Sequence, residues 1–329
     1  MAVSLRSLMS SVLGGKRTAA ARDELFAKTD PAADGDDCLR DCESCSVRYP
    51  RGFKIDEEDV LYGQVKGWST HMVVGTGKTD WVRDVADEKG SVMEAIGKAD
   101  GPTNGRLMVS ASNMATPRGT RDYSEPTTVL LLPAFTMVQN VDPRNVGTLI
   151  REIVDKCPTS ESPLVPSVLP ASLASADPGA PVLGTKACPH SAVVLMCSQG
   201  TRDARCGQSA PLLRKELERH LRPMGLYRDM HDERPGGVAI YFISHVGGHK
   251  YSANVMVYRR PNAFGQDDDV SGNACASPDV GAAQCIWLAR VRPEDCENIV
   301  RYTVLKGKVV KPERQLRGGF DRVKGLTSW

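Results

Sequence analysis

Short apolar runs alternate with helix-like segments along this chain, and the alternation begins well inside its first half. Apolar runs at 71–75, 107–111 and 128–138 are typical of buried strands, whereas residues 91–98 and 144–156 show helical patterns. Strands that alternate with helices predict an α/β fold built around a mixed sheet.

The same alternation returns in the second half of the chain. The predicted elements there are strands at 191–197, 238–243, 253–258 and 285–291 and helices at 211–221 and 294–305. In addition, Val141-Asp142-Pro143-Arg144-Asn145-Val146 parallels Val291-Arg292-Pro293-Glu294-Asp295-Cys296, so that each half feeds a strand into a proline-started helix. The repeat predicts two related domains, each with a mixed sheet flanked by helices.

The segment between the halves suggests where these domains end. Residues 158–187 are rich in proline, serine and alanine and carry almost no charge, which is typical of a linker. We therefore expect a disordered N-terminal tail at 1–37, a first domain at 38–157 and a second domain at 188–329.

Charge and hydropathy bound the cellular role. The 42 basic and 40 acidic residues nearly cancel, which argues against a nucleic-acid-binding protein, and no apolar run is long enough to span a membrane. Ten dispersed cysteines indicate a reducing compartment. The basic, acid-free stretch Met1–Arg22 suits a transit peptide and a plain disordered tail equally well. We therefore expect a cytoplasmic protein and keep a mitochondrial location as the alternative.

Two cysteines and two histidines follow predicted strands in the second half. The first motif is Cys197-Ser-Gln-Gly-Thr-Arg-Asp-Ala-Arg-Cys206, and the second is His245-Val-Gly-Gly-His249. Thiolates and imidazoles at neighbouring strand ends can converge on one metal centre. Zinc uses the same residue types, but the spacing is not that of a zinc finger, and the paired glycines disfavour a helix between the histidines. An iron–sulfur cluster fits better, with a zinc-stabilised structural or adaptor protein as the alternative.

Ligand charge explains what the histidines would contribute to such a cluster. Two ferric ions and two sulfides carry a charge of +2, which four thiolates change to −2, whereas two thiolates and two neutral imidazoles leave it at zero. A neutral cluster accepts an electron more easily, so we expect a higher reduction potential than in all-cysteine ferredoxins. Because imidazole also takes up protons near neutral pH, electron and proton uptake should be coupled.

Together these motifs resemble the sucrase/ferredoxin-like family, including its fungal members with bis-histidinyl 2Fe-2S clusters. The resemblance rests on the Cys-x8-Cys motif around Gly-Thr-Arg-Asp and on His-Val-Gly-Gly-His-Lys-Tyr-Ser-Ala-Asn-Val. It implies two thioredoxin-like domains and a 2Fe-2S cofactor in the second, with Cys197 and Cys206 on one iron and His245 and His249 on the other. It also implies electron exchange with a redox partner protein, whose identity the sequence does not indicate.

Three further cysteines lie near the N-terminus, at Cys38, Cys42 and Cys45. Their C-x3-C-x2-C spacing suits a second metal or a thiol oxidoreductase, but no strand precedes them and no histidine follows closely. A mobile N-terminal segment is the main alternative. The remaining histidines show no partner pattern and are expected to be ordinary core or surface residues: His71, His190, His220 and His231.

The last residue, Trp329, offers a separate hint about partners. A terminal tryptophan resembles the tail by which some cytosolic iron–sulfur proteins are recognised by their assembly machinery. Thr327 departs from the aliphatic residue usual in that tail. The match is therefore partial, and it favours the cytosol over the mitochondrion.

Overall fold

A computed structural model of the protein describes residues 18–267 and 280–329. Within them, a single mixed sheet contains 13 strands. The strands are β1 Thr70–Gly75, β2 Leu107–Ser112, β3 Thr127–Leu132, β4 Thr136–Val141, β5 Ser172–Leu173, β6 Leu183–Ala187, β7 Ala192–Cys197, β8 Tyr227–Arg228, β9 Val238–Ile243, β10 Val255–Arg259, β11 Gln284–Leu288, β12 Leu316–Asp321 and β13 Leu326–Thr327.

Helices flank this sheet, and two of them continue as π-helices. The α-helices are α1 Arg22–Leu25, α2 Pro31–Asp34, α3 Val92–Lys98, α4 Val146–Thr148, α5 Ala204–Leu221, α6 Cys296–Asn298 and α7 Pro312–Gln315. The π-helices Leu149–Ile153 and Ile299–Val304 extend α4 and α6, and 3-10 turns occupy Val85–Asp87, Val154–Lys156, His249–Tyr251 and Pro293–Asp295. The expected α/β class is confirmed.

The two halves repeat one topology. In the first half β1 pairs in parallel with β2 and antiparallel with β3, which pairs with β4. In the second half β7 pairs in parallel with β9 and antiparallel with β10, which pairs with β11. The halves join where β2 meets β9 in antiparallel orientation, at the pair Ser112 and Ile243. Equivalent strands therefore meet at the centre of the sheet.

Residues 158–187 and 18–37 differ from the linker and the tail that the sequence predicts. The first segment contains β5 and β6, which extend the sheet because the edge of β4 is open to pairing. The second forms α1 and α2 against the second half, where the amide of Ala20 donates to the carbonyl of Thr327 over 2.8 Å. Residues 1–17, which include most of the candidate transit segment, lie outside the described residues.

Most predicted strands and helices occur within a residue or two of their expected positions, with three exceptions. The strand predicted at 285–291 already ends at Leu288. The run 128–138 forms two strands, because the chain reverses after Pro133. Helix α5 begins at Ala204 instead of Pro211, because the carboxylate of Asp203 caps its first turn by accepting from the amide of Arg205 over 2.9 Å.

Both faces of the second-half sheet are buried. This packing fixes the positions of β7 and β9, whose carboxyl ends lead into the candidate site. Leu213, Leu217 and Leu221 recur every four residues on α5 and pack against Val194 and Ile240 on one face. A second apolar cluster, which includes Leu195, Trp287 and Trp68, covers the opposite face.

Candidate metal centre

The register of β7 against β9 brings the two sequence motifs together. Cys197 is the last residue of β7 and pairs with Ile243, the last residue of β9. Because the strands are parallel, the chain leaves both of them at the same sheet edge. His245 follows within two residues, and its Nδ1 lies 3.8 Å from the Cys197 sulfur.

The other two predicted ligands complete the group. Cys206 lies in the first turn of α5, and its sulfur, the Cys197 sulfur and a ring nitrogen of His245 all lie within 4.8 Å of one another. The Nδ1 of His249 lies 3.5 Å from the Nε2 of His245. Both thiols are buried, whereas the side chain of His249 is 44% exposed. The thiols therefore face the protein interior and the imidazoles face solvent.

The two thiols affect each other's ionisation. The neighbouring Cys197 thiol is the main cause that lowers the pKa of Cys206, against the opposing effect of burial. The same interaction, reinforced by burial, raises the pKa of Cys197 well above its ordinary value. The Ser252 hydroxyl also lies 3.3 Å from the Cys206 sulfur. Because thiolates are the metal ligands, a cation bound to both sulfurs would displace the thiol protons that remain.

The histidines sit on a loop that only glycine can form. Gly247 and Gly248 have φ angles of 87° and 67°, in the left-handed region. A Cβ at Gly248 would lie 2.6 Å from the guanidinium of Arg317. Both glycine carbonyls accept hydrogen bonds, Gly247 from Arg317 over 2.8 Å and Gly248 from the Asn254 amide over 3.0 Å. The side chains of Arg317 and Asn254 thus hold the loop in place.

Arg317 is a buried cation beneath the centre. Its guanidinium lies over the ring of Trp287, 4.3 Å from the ring centroid, and donates to the side-chain Oδ1 of Asn254 over 2.8 Å. Burial lowers its pKa to about 10, so that it stays charged at neutral pH. Sequence reasoning missed Arg317, because it lies far from the histidine loop in sequence and no motif marks it. Asn254 belongs to the histidine motif, but nothing in the sequence assigns it a role.

The first half of the chain also supports the centre. The Asp80 carboxylate accepts from the Thr201 amide over 3.0 Å and from its hydroxyl over 2.9 Å. Gln199 donates to the carbonyl of Val82 and accepts from the amide of His245 over 2.8 Å. The loop after β1 therefore braces both the Cys197–Cys206 loop and the start of the histidine loop.

The other cysteines lie apart from this group. Cys38 packs with Tyr302 and Val310, and the Cys45 thiol donates to the Val47 carbonyl over 3.1 Å, so the three N-terminal thiols do not converge. Four more are buried, as a small core thiol is expected to be: Cys157, Cys188, Cys285 and Cys296. Cys275 lies outside the described residues.

Fold and site together define an α/β protein with a candidate cysteine–histidine metal centre. The family pattern named "Sucrase/ferredoxin-like" matches residues 61–318, and the chain belongs to that family. Actin patches distal protein 1 of Saccharomyces cerevisiae is 29% identical over 308 residues, which cover 87% of this chain and 86% of that protein.

Shorter matches join the chain to a second group of fungal proteins. Altered inheritance of mitochondria protein 32 of Clavispora lusitaniae is 32% identical over 122 residues, which cover 37% of this chain and 33% of that protein. The protein of the same name from Meyerozyma guilliermondii is 29% identical over 119 residues, covering 36% of this chain and 32% of its own. No solved structure matches the chain. Among the described residues, no helix has the length and apolar character that a membrane crossing requires.

Proposed function

We propose that this protein is a one-electron carrier whose 2Fe-2S cluster is held by Cys197, Cys206, His245 and His249. The observation that carries the proposal is the meeting of two buried thiols and an imidazole within 4.8 Å, with the second imidazole beside the first. Thiolate and neutral imidazole are the ligands of histidine-bearing 2Fe-2S centres. The exposed imidazole side gives a redox partner its shortest approach.

The spread of the four donors favours two irons over one zinc ion. A tetrahedral zinc ion, with bonds of about 2.0–2.3 Å, holds its four donors within about 4 Å of one another. Here Cys197, Cys206 and His245 form a compact group that does not include His249, whose Nδ1 lies 3.5 Å from the Nε2 of His245. A zinc-stabilised structural protein is the second candidate, since the compact group of three would also suit one ion.

When bound, the cluster supplies a one-electron couple, and the surrounding residues set how readily it accepts the electron. The Ser252 hydroxyl lies 3.3 Å from the Cys206 sulfur, and the charge of Arg317 interacts with the Cys197 thiol. Donors and positive charge near the sulfurs favour the reduced state. The half-exposed His249 can exchange a proton with solvent, which supports coupled electron and proton uptake.

The fold and location belong to the same proposal. The repeated order of two parallel strands joined through a helix, followed by two antiparallel strands and a helix, suits two thioredoxin-like domains, of which the second carries the cluster. We place the protein in the cytoplasm, with the mitochondrion as the alternative that the names of the shorter matches favour. Recognition of Trp329 by iron–sulfur assembly proteins would require its ring to leave Trp68, 4.5 Å away.

Anaerobic purification with iron, sulfide and zinc analysis tests the cluster directly. We expect a red-brown protein with about two irons and two sulfides per chain and an EPR signal on reduction. His249→Ala should lose most of the iron, whereas His231→Ala, which changes an exposed histidine outside the site, should retain it. A colourless protein with one zinc per chain would instead establish the structural alternative.

Potentials measured across roughly pH 6 to 9 test the role of the imidazoles. The potential of the wild type should fall as pH rises, because reduction is accompanied by proton uptake. In the double variant His245→Cys/His249→Cys the slope should flatten, and the potential should drop toward that of all-cysteine ferredoxins. An equal slope in both proteins would exclude the imidazoles as the proton acceptors.

A further inference from the structure

A second group of metal-binding residue types lies at the far end of α5. Cys42 is held there by its amide, which donates to the carbonyl of Glu294 over 3.0 Å. His220 comes from the last turn of α5 and Glu297 from α6. Cys206 and His220 are separated by about 21 Å along the helix, at about 1.5 Å per residue. The group is therefore separate from the candidate cluster.

Three potential ligand atoms converge in this group. The Cys42 sulfur, a ring nitrogen of His220 and a carboxylate oxygen of Glu297 all lie within 4.8 Å of one another. The sulfur is 3.9 Å from the Nε2 of His220, close to the separation that two ligands of one tetrahedral ion would have. Three chain segments that are distant in sequence thus present their donors to one point.

A guanidinium nitrogen lies among these donors. The Nη2 of Arg219 is 3.4 Å from the Cys42 sulfur, 3.1 Å from the Nε2 of His220 and 2.8 Å from a carboxylate oxygen of Glu216. A guanidinium can only donate hydrogen bonds, so the sulfur and the imidazole nitrogen must both accept. Their lone pairs therefore point toward the bound cationic group.

The same contacts fix the protonation of His220. Because its Nε2 accepts from Arg219, its proton resides on Nδ1, which leaves the neutral tautomer that binds metals. Burial, helped by the charge of Arg219, lowers the pKa of His220 below its ordinary value. A thiolate, a neutral imidazole and a carboxylate form a donor set that selects zinc among the common divalent cations.

We propose that Cys42, His220 and Glu297 form a second metal site of the zinc class, in which the guanidinium of Arg219 holds the place of the metal when it is absent. A bound ion displaces the guanidinium of Arg219 toward solvent, where Arg219 can still pair with Glu216. The ion takes water as its fourth ligand. It also ties the segment around Cys42 to the ends of α5 and α6. The site is thus a staple between the N-terminal segment and the second half.

Zinc binding to the full-length, cluster-loaded protein tests this site by competition against a fluorescent zinc chelator. Cys42→Ser and His220→Ala should each weaken binding by about a hundredfold or more, because each removes a ligand. Cys45→Ser is the matched control, since its thiol donates to a neighbouring carbonyl instead, and it should leave the affinity unchanged. Equal weakening by Cys45→Ser, or none by Cys42→Ser, would overturn the proposal.

Arg219→Ala provides the sharper test, because it should improve binding. Removal of the competing guanidinium should tighten zinc binding about tenfold, as several hydrogen bonds no longer have to break. If the zinc affinity of Arg219→Ala equals that of wild type, the assignment is contradicted. Zinc should also raise the thermal unfolding midpoint of wild type but not that of Cys42→Ser.

Zinc-edge X-ray absorption separates this site from the cluster site. The expected signal is one sulfur at about 2.3 Å with nitrogen and oxygen ligands at about 2.0 Å, whereas zinc at Cys197 and Cys206 would show two sulfurs. Iron and sulfide contents should be the same in all four variants. If the zinc site at Cys42 is not found, the cluster proposal is unaffected. If the protein proves to contain no iron, the sulfur count still shows whether zinc binds at Cys42.

Discussion

The guanidinium of Arg317 donates a hydrogen bond to the carbonyl oxygen of Gly247 over 2.8 Å. Strand β12 therefore holds the loop that carries both candidate imidazoles, although it lies far from that loop in sequence. The same side chain packs on Trp287 and bonds to Asn254. It joins the apolar core directly to the candidate centre.

Arg317→Ala should destabilise the protein and loosen this loop. Three acceptor oxygens, on Gly247, Asn254 and Gln64, would each lose a hydrogen bond, and the Trp287 ring would lose its packing partner. We therefore expect the free energy of unfolding to fall by about 3 kcal/mol. Urea unfolding measures this loss. Arg314→Ala is the control, because Arg314 pairs with Glu57 at the surface and should cost at most about 1 kcal/mol. Similar losses in both variants would refute the supporting role of Arg317.

Gly248→Ala and Gly265→Ala separate backbone strain from steric conflict. Their φ angles are 67° and 70°, so both variants pay a similar left-handed backbone cost of about 1 kcal/mol. A Cβ at Gly265 meets nothing within 4 Å, whereas one at Gly248 lies 2.6 Å from the Arg317 guanidinium. Gly248→Ala should therefore lose roughly 1–2 kcal/mol more and retain less iron. Equal urea midpoints for the two variants would show that the loop or Arg317 moves aside at no energetic cost.

The contact of Asp80 with Thr201 should appear as a coupling energy between the halves. In a double-mutant cycle of Asp80→Asn and Thr201→Val, we expect about 1 kcal/mol of coupling from the 2.9 Å hydroxyl bond. Asp84→Asn replaces Asp80→Asn in the control cycle, since the Asp84 carboxylate caps Ala86 instead. Strict additivity in both cycles would mean that this contact does not join the halves energetically.

His71 should make the protein sensitive to mild acid. Its ring is buried between the Tyr258 and Ser110 hydroxyls, and burial lowers its pKa from 6.5 to about 3. Between these two values the unfolded chain binds a proton that the folded chain does not, so stability falls as pH decreases through this window. The full effect is about 5 kcal/mol.

Urea unfolding at several pH values compares wild type with His71→Gln, which keeps hydrogen-bonding capacity but does not titrate. The free energy of unfolding should fall more steeply in wild type as pH decreases from about 6.5. His231→Gln changes an exposed histidine and should follow wild type. Parallel profiles for wild type and His71→Gln would rule out His71 as the acid-sensitive group.

The sequence predicts β7 and β9 well because both are continuous apolar runs buried on two faces. That placement also predicts the site, since Cys197 ends one run and His245 follows the other. The start of α5 was harder to predict because Pro211 looks like a helix start, whereas Asp203 provides the actual cap. A proline inside a helix is therefore easily mistaken for its first residue, and the helical turns before it are missed.

Contacts between distant segments could not be predicted from motifs. His220 shows no partner pattern, yet folding brings it 3.9 Å from the Cys42 sulfur. Likewise, the C-x3-C-x2-C spacing of the N-terminal cysteines suggests three ligands, but only Cys42 of the three joins a group with histidine in the described part of the chain. Spacing reports neighbours along a strand or helix and says little about which elements meet.

The antiparallel junction of β2 with β9 has a consequence for each half taken by itself. Because the same strand of each half contributes to the junction, the strand orders of the halves are related by an approximate two-fold axis. Either half alone would expose the edge of that strand, to which a second copy could pair as an isologous homodimer. In the intact chain each half therefore covers the strand edge that the other would leave open.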